Sequence, residues 1–145
     1  RAIIRQKSEH GSYHHEIFYI QEFIEKPGRD IRAYVVGDEI VAASYRTSEH
    51  WITNAARGAV SVPCPVTPEI EELALRSCKV VGARLAGVDL IETDDGLKVI
   101  EVNTGGEFKG LMTTTDRDIA GVIVEEAAKV AREGVDDPLT AAAAG

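Results

Sequence analysis

The stretch VIEVNTGG, residues 99–106, sets a carboxylate and an amide, Glu101 and Asn103, one strand step apart in apolar sequence and then runs into two glycines. On a strand both side chains point the same way, roughly 7 Å apart. A second carboxylate stands upstream: Asp89, between Val88 and Leu90. If the two stretches pair as neighbouring strands, two carboxylates and an amide oxygen converge. An all-oxygen set suits Mg²⁺ or Mn²⁺, hard cations that keep waters and take substrate phosphates. A Glu can bridge two such ions, an arrangement useful in phosphoryl transfer. The plainer alternative leaves Glu101 on a solvated strand edge and Asn103 at the start of a turn, and spacing alone favours it. The apolar neighbours argue the other way, because a buried carboxylate needs a partner or a metal. Gly105 and Gly106 allow a sharp turn and a close backbone approach to a ligand, but neither GxxxxGK[ST] nor GxGxxG is present.

These residues need a hairpin to hold them. GVDLIET and LKVIEVN read as strands around the tight turn DDG. Strict alternation would put Leu97, Val99, Glu101 and Asn103 on one face and Lys98, Ile100 and Val102 on the other. Upstream, EIFYIQEFIE (16–25) is aromatic and β-branched and reads as a strand, with KPGRD as a turn. IRAYVVGDEIVAASYR reads as two strands around GDE. Residues 47–59 are polar and loop-like. Thr67 can cap a helix that starts at Pro68, with Ile70, Leu73, Ala74, Cys78, Val81 and Leu85 as its apolar face. A polar loop from Thr104 to about Arg117 leads to a last helix, Asp118 to Glu133, capped by Asp118 and stopped by Gly134. The order predicts an α+β fold: a mainly antiparallel sheet with covering helices on one face.

The 145 residues suffice for one compact domain, and 28% charged and 44% apolar residues is an ordinary globular balance. A formal charge of -8 argues against nucleic acid and anionic membranes as partners. No apolar run reaches the roughly 20 residues of a membrane helix, and no signal-peptide pattern is present. Cys64 and Cys78 lack CxxC spacing and read as reduced thiols in a cytoplasmic protein. His10, His14 and His15 read as a solvated turn rather than a zinc site. The chain starts with Arg and ends in DDPLTAAAAG, so it is expected to be a piece of something longer, with residues 135–145 a disordered or added tail.

Four ordered blocks, FYIQEFIEKPGRDIRAYVVGDEIVAA, HWITNAARGA, AGVDLIETDDGLKVIEVN and EFKGLMTTTDRDIAG, resemble the ATP-grasp ligases, and within them the RimK-like group. YIQEFIEKPGRDIR and HWITNAARG are most similar to the branch that joins α-aminoadipate to the amino-group carrier protein LysW in lysine biosynthesis. The resemblance covers the chain to about Arg132. It implies that residues 16–134 are the C-terminal lobe of the ATP-grasp fold and residues 1–15 a remnant of its middle lobe. Without the N-terminal domain and the lysines of the middle lobe, the fragment alone is expected to be inactive.

Carried over by position, the resemblance implies that Gln21, Glu22, Phe23 and Ile24 meet the adenine of ATP. Asp30 and Asn54 also lie on the nucleotide side. Arg32 and Arg57 are the catalytic cations facing phosphates and acceptor carboxylate, since an arginine fork grips either group in two bonds. Asp89, Glu101 and Asn103 are the metal ligands, holding Mg²⁺ or Mn²⁺, two ions in all. The implied activity is ATP-dependent amide-bond formation through an acyl phosphate. It would join an amino acid, α-aminoadipate or glutamate, to the C-terminal Glu of a LysW-like carrier in lysine or arginine biosynthesis. A RimK-like ligase adding glutamate to a protein or peptide, or a non-catalytic nucleotide-binding lobe, are the alternatives. An acidic carrier would need a local basic surface, for which Arg32, Arg46 and Arg57 are candidates. A homo-oligomer is left open.

Overall fold

The computed structural model describes residues 20, 22–48, 60–105 and 107–133. Its elements are β1 (Arg29–Val36), β2 (Glu39–Thr47), β3 (Val60–Pro63), α1 (Pro68–Val81), β4 (Leu85–Thr93), β5 (Gly96–Thr104), a 3₁₀ turn (Leu111–Thr113) and α2 (Ile119–Glu133). The strands form one sheet in the order β3-β2-β1-β4-β5, and every neighbouring pair is antiparallel. Both hairpins expected from GDE and DDG are present, joining β1 to β2 and β4 to β5. The strand expected over 16–25 is not seen: residue 20 and residues 22–25 have no regular structure, and the rest of that stretch lies outside the described residues. β3, not anticipated, adds four residues to the edge of β2 before Pro63 ends it.

Helix α1 starts where its cap predicts. Thr67 Oγ1 accepts the Ile70 N–H at 3.3 Å, and Pro68 occupies the first turn, where no N–H partner is needed. It stops at Gly82, whose φ of 69° is left-handed; the Gly82 and Ala83 N–H groups close back onto the carbonyls of Lys79 and Cys78. That stop removes two residues from the expected apolar face. Val81 is exposed, and Leu85 belongs to β4. The face that remains, Ile70, Ala74 and Cys78, packs on Ile31, Ala33, Val35, Val88 and Leu90. Each such large aliphatic side chain contributes about 1.5–3 kcal/mol on full burial.

The other face of the sheet is covered as well, which corrects the expectation of helices on one side. Tyr34, Val36, Val41 and Ala42 pack on Leu111 and Ile119, so α1 and α2 lie on opposite faces. Strand β1 is buried on both sides and supplies a residue to each layer in turn. Asp118 caps α2, its Oδ1 accepting the Gly121 N–H at 2.9 Å. The segment between β5 and α2 is less of a free loop than its polarity predicts. Leu111 is buried, and the Phe108 ring meets Tyr34 with centroids 5.7 Å apart. Among the described residues no helix is long and apolar enough to cross a membrane.

Candidate functional site

Asp89 sits on β4 opposite Glu101 of β5, and Gly87 sits opposite Asn103. Directly paired residues of an antiparallel ladder share a face, so Asp89, Glu101 and Asn103 look out from the same side. The Asn103 amide donates to Glu101 Oε1 at 2.8 Å. This side is the one covered further along by α2, away from α1.

One expectation about β5 fails for a local reason. Asp89 pairs with Glu101, but Leu90 pairs with Val99, so Ile100 is an extra residue and the ladder carries a bulge there. A bulge resets the alternation. Val99 therefore shares the α1 side with Leu90, and Leu97 packs into the core under α1. Glu101 and Asn103 face the other way. Glu101 is exposed and Asn103 half-buried, so the apolar burial expected around Glu101 does not exist. Among the described residues no three His, Cys, Asp or Glu side chains cluster as a metal site.

Asp89 is the buried member, 3% exposed, and its carboxylate is held by arginines. Arg32 Nε donates to Oδ1 and Arg32 Nη2 to Oδ2, both at 2.7 Å. Arg46 Nη2 lies 3.0 Å from Oδ2. Arg46 Nε in turn donates to Asp30 Oδ1 at 2.6 Å, and Lys26 lies 3.6 Å from Asp30 Oδ2. Register explains the chain of contacts: Asp30 pairs with Arg46 across β1 and β2, and Arg32 with Asp89 across β1 and β4. Burial opposes the charge on Arg46, but its bonds to Asp30 and Asp89 outweigh it and hold its pKa above the ordinary guanidinium value.

Arg32 and Arg46 are thus committed to buried acids and are not an exposed basic surface; their side chains are 17% and 11% exposed. Of the predicted nucleotide-side residues, Asp30 is in this network. Glu22 and Phe23 are exposed, and Ile24 is half-buried. The ring of Phe23, 60% exposed, is not a core residue. Gln21, Asn54 and Arg57 lie outside the described residues. The link made by Arg46 is the feature sequence reasoning missed. Hairpin symmetry about the Gly37–Asp38 turn would pair Asp30 with Tyr45; a one-residue register shift beside Tyr34 and Val35 brings Arg46 opposite it instead, and nothing local in the sequence marks that shift.

Carboxylate and amide oxygens are the donor type that a hard divalent cation takes. Glu101 and Asn103 offer a carboxylate and an amide oxygen at an open strand edge. The two oxygens of Asp89 offer about four acceptor positions, of which the guanidinium contacts use three.

Residues 4–127 match the RimK-like ATP-grasp domain. The chain is 43% identical over 136 residues to a tetrahydromethanopterin:α-L-glutamate ligase of Methanococcus maripaludis, covering 92% of this chain and 45% of that protein. It is 40% identical over 116 residues to the α-aminoadipate–LysW ligase LysX of Saccharolobus solfataricus, covering 79% of this chain and 42% of that protein. The chain thus spans less than half the length of these relatives. Among solved structures it resembles the ATP-grasp ligase PsnB complexed with minimal precursor, with a TM-score of 0.59, 26% identity, and coverage of 75% of this chain and 35% of that one. From its matched domain, its fold and these relatives, the chain belongs to the RimK-like ATP-grasp family.

Proposed function

We propose that this chain is the C-terminal lobe of an ATP-dependent carboxylate–amine ligase that attaches α-L-glutamate to an acceptor carboxylate. The observation that carries the reading is the row of Asp89, Glu101 and Asn103 on one side of two paired strands in a chain of this family. In the proposed reaction an acceptor carboxylate oxygen attacks the γ-phosphorus of ATP and ADP leaves. The amine of the amino acid then attacks the acyl carbon, a proton is lost and phosphate leaves. Asp89, Glu101 and Asn103 would hold Mg²⁺ or Mn²⁺, two ions in this reading. Bound there, the ions would neutralise phosphate charge as it shifts in the transition state. Gln21, Glu22, Phe23 and Ile24 would line the adenine site, with Asp30 and Asn54 nearby. Arg32 and Arg57 would face the phosphates and the acceptor. No enzyme nucleophile is required.

Glutamate is the preferred amine because the Methanococcus relative, named for α-L-glutamate, matches at higher identity and over more of the chain than the LysX relative. The second reading, α-aminoadipate joined to a LysW-like carrier, keeps the support of that LysX match. Both readings place the work in the cytoplasm. The test uses the full-length protein that carries this domain. ADP release is measured with ATP and Mg²⁺, with glutamate or α-aminoadipate, and with either a tetrahydropterin carboxylate or a carrier ending in Glu. Glutamate-dependent ADP release supports the first reading, and α-aminoadipate with the carrier supports the second. Absence of ATP binding overturns both.

A further inference from the structure

The proposed nucleotide side and metal side of the site are joined through one side chain. Arg46 starts on β2, and β1 lies between it and β4. It spends Nε on Asp30 at 2.6 Å and lies with Nη2 3.0 Å from Asp89. Both acids are nearly buried, at 4% and 3% exposure. Two buried carboxylates that share one planar guanidinium cannot move independently, because the fork fixes both distance and angle. An ammonium could balance the charge but not both directions. Arg46 therefore offers something that neither acid offers alone, a rigid spacing between them.

We propose that Arg46 is a positioning residue that locks Asp30 and Asp89 into one geometry, so that the nucleotide and metal subsites are ordered together. This rests on the reading of Asp30 as nucleotide-side and Asp89 as metal-side. Arg46 itself touches neither ligand; it acts through the two acids. Asp89 transmits the effect onward through its register position opposite Glu101, which is bonded to Asn103. Coupling of this kind is reciprocal, so whatever Arg46 contributes to one ligand's affinity in the presence of the other must appear in both titrations.

The test is calorimetric and needs no turnover. In the full-length protein, ADP affinity is measured without and with saturating Mg²⁺, and Mg²⁺ affinity without and with ADP, for wild type and Arg46→Lys. Arg46→Gln, whose amide can still donate to one acid, serves should the lysine variant not fold. The expected result is that the factor by which each ligand tightens the other falls about tenfold, by the same amount in both directions, about 1.4 kcal/mol of coupling. A merely structural role would lower the melting temperature and leave that factor within twofold, which overturns the proposal. A change in ADP affinity or in Mg²⁺ affinity that is the same with and without the other ligand overturns it too. Wild-type protein that binds no ADP would instead sink the ligase reading on which it rests.

Discussion

Arg32 holds Asp89 by both ends of its guanidinium fork, Nε to Oδ1 and Nη2 to Oδ2, each at 2.7 Å, from directly opposed positions on β1 and β4. With the acid buried and Arg46 on its second oxygen, the pair is far from a surface ion pair. Removing one member strands the other, whereas removing both does not.

Asp89→Asn should therefore cost about 3 kcal/mol of unfolding free energy, since Arg32 loses the anion it grips and Arg46 loses one of its two. The double change Arg32→Met with Asp89→Leu should cost less than either single change, because no unpaired charge remains in the sheet. Urea titration of the four proteins checks this. Additive losses would show that the pair is worth little to the fold.

Helix α1 should respond as a structural element. Thr67→Ala removes the oxygen that accepts the Ile70 N–H and should cost about 1 kcal/mol. Gly82→Ala forces a Cβ into a left-handed backbone and should cost about 1–2 kcal/mol. Glu71 and Glu72 are exposed, and alanine at either should change stability by no more than about 0.5 kcal/mol and ligand binding not at all. A large loss of ADP affinity in either glutamate variant would mean that α1 is part of the site.

The stability of the fold should fall on the alkaline side. Burial raises the thiol pKa of Cys78 and of Cys64, the latter partly offset by Tyr45, and burial likewise raises the phenol pKa of Tyr34. Each group keeps its proton to higher pH in the fold than in the unfolded chain. Its contribution is whole below the ordinary values, about 8.5 for a thiol and 10 for a phenol, and is lost as pH climbs through the higher folded values. Unfolding free energy should therefore decline from pH 8 upward, and Cys78→Ala should flatten the first part of the decline. The same burial should make both thiols slow to react with iodoacetamide in the native state. Fast native labelling at pH 8 would contradict it.

The parts of this molecule that were legible in the sequence are those set by local chemistry. Thr67–Pro68 and Asp118 mark helix starts, Gly82 ends a helix through its own backbone, and GDE and DDG turn the chain between paired strands. What stayed hidden depends on partners distant in sequence. The bulge at Ile100 leaves alternation apparently intact over seven residues, yet it moves Val99 to the face opposite Glu101. The insertion of β1 between β2 and β4 cannot be read from either hairpin, and without it neither the Arg32–Asp89 pair nor the reach of Arg46 can be seen. Asp30 and Arg32 stand two residues apart on β1. On a strand those two neighbours of neighbours share a face but bond across it, each to another strand.

Glu101 and Asn103 give the sharpest prediction about the metal reading, because the structure reverses the effect expected from a buried acid. Glu101 is exposed, so Glu101→Gln relieves no buried charge and should leave metal-free stability within about 0.5 kcal/mol. Asn103→Asp does the opposite of a neutral oxygen swap. It replaces a donor that meets Glu101 Oε1 at 2.8 Å with a second carboxylate at the same place. Without metal the two anions repel, and stability should drop by a few tenths to about 1 kcal/mol, more at low salt than at high. Mg²⁺ should reverse that loss, since a divalent ion between two carboxylates turns repulsion into a shared site. The measurement is melting temperature of the full-length protein against Mg²⁺ concentration for wild type, Glu101→Gln and Asn103→Asp. Wild type should rise with Mg²⁺, Glu101→Gln should stay flat, and Asn103→Asp should start lower and climb at lower Mg²⁺ than wild type. If all three curves run parallel, no divalent ion binds at Glu101 and Asn103, and the pair is an ordinary polar contact on a strand edge.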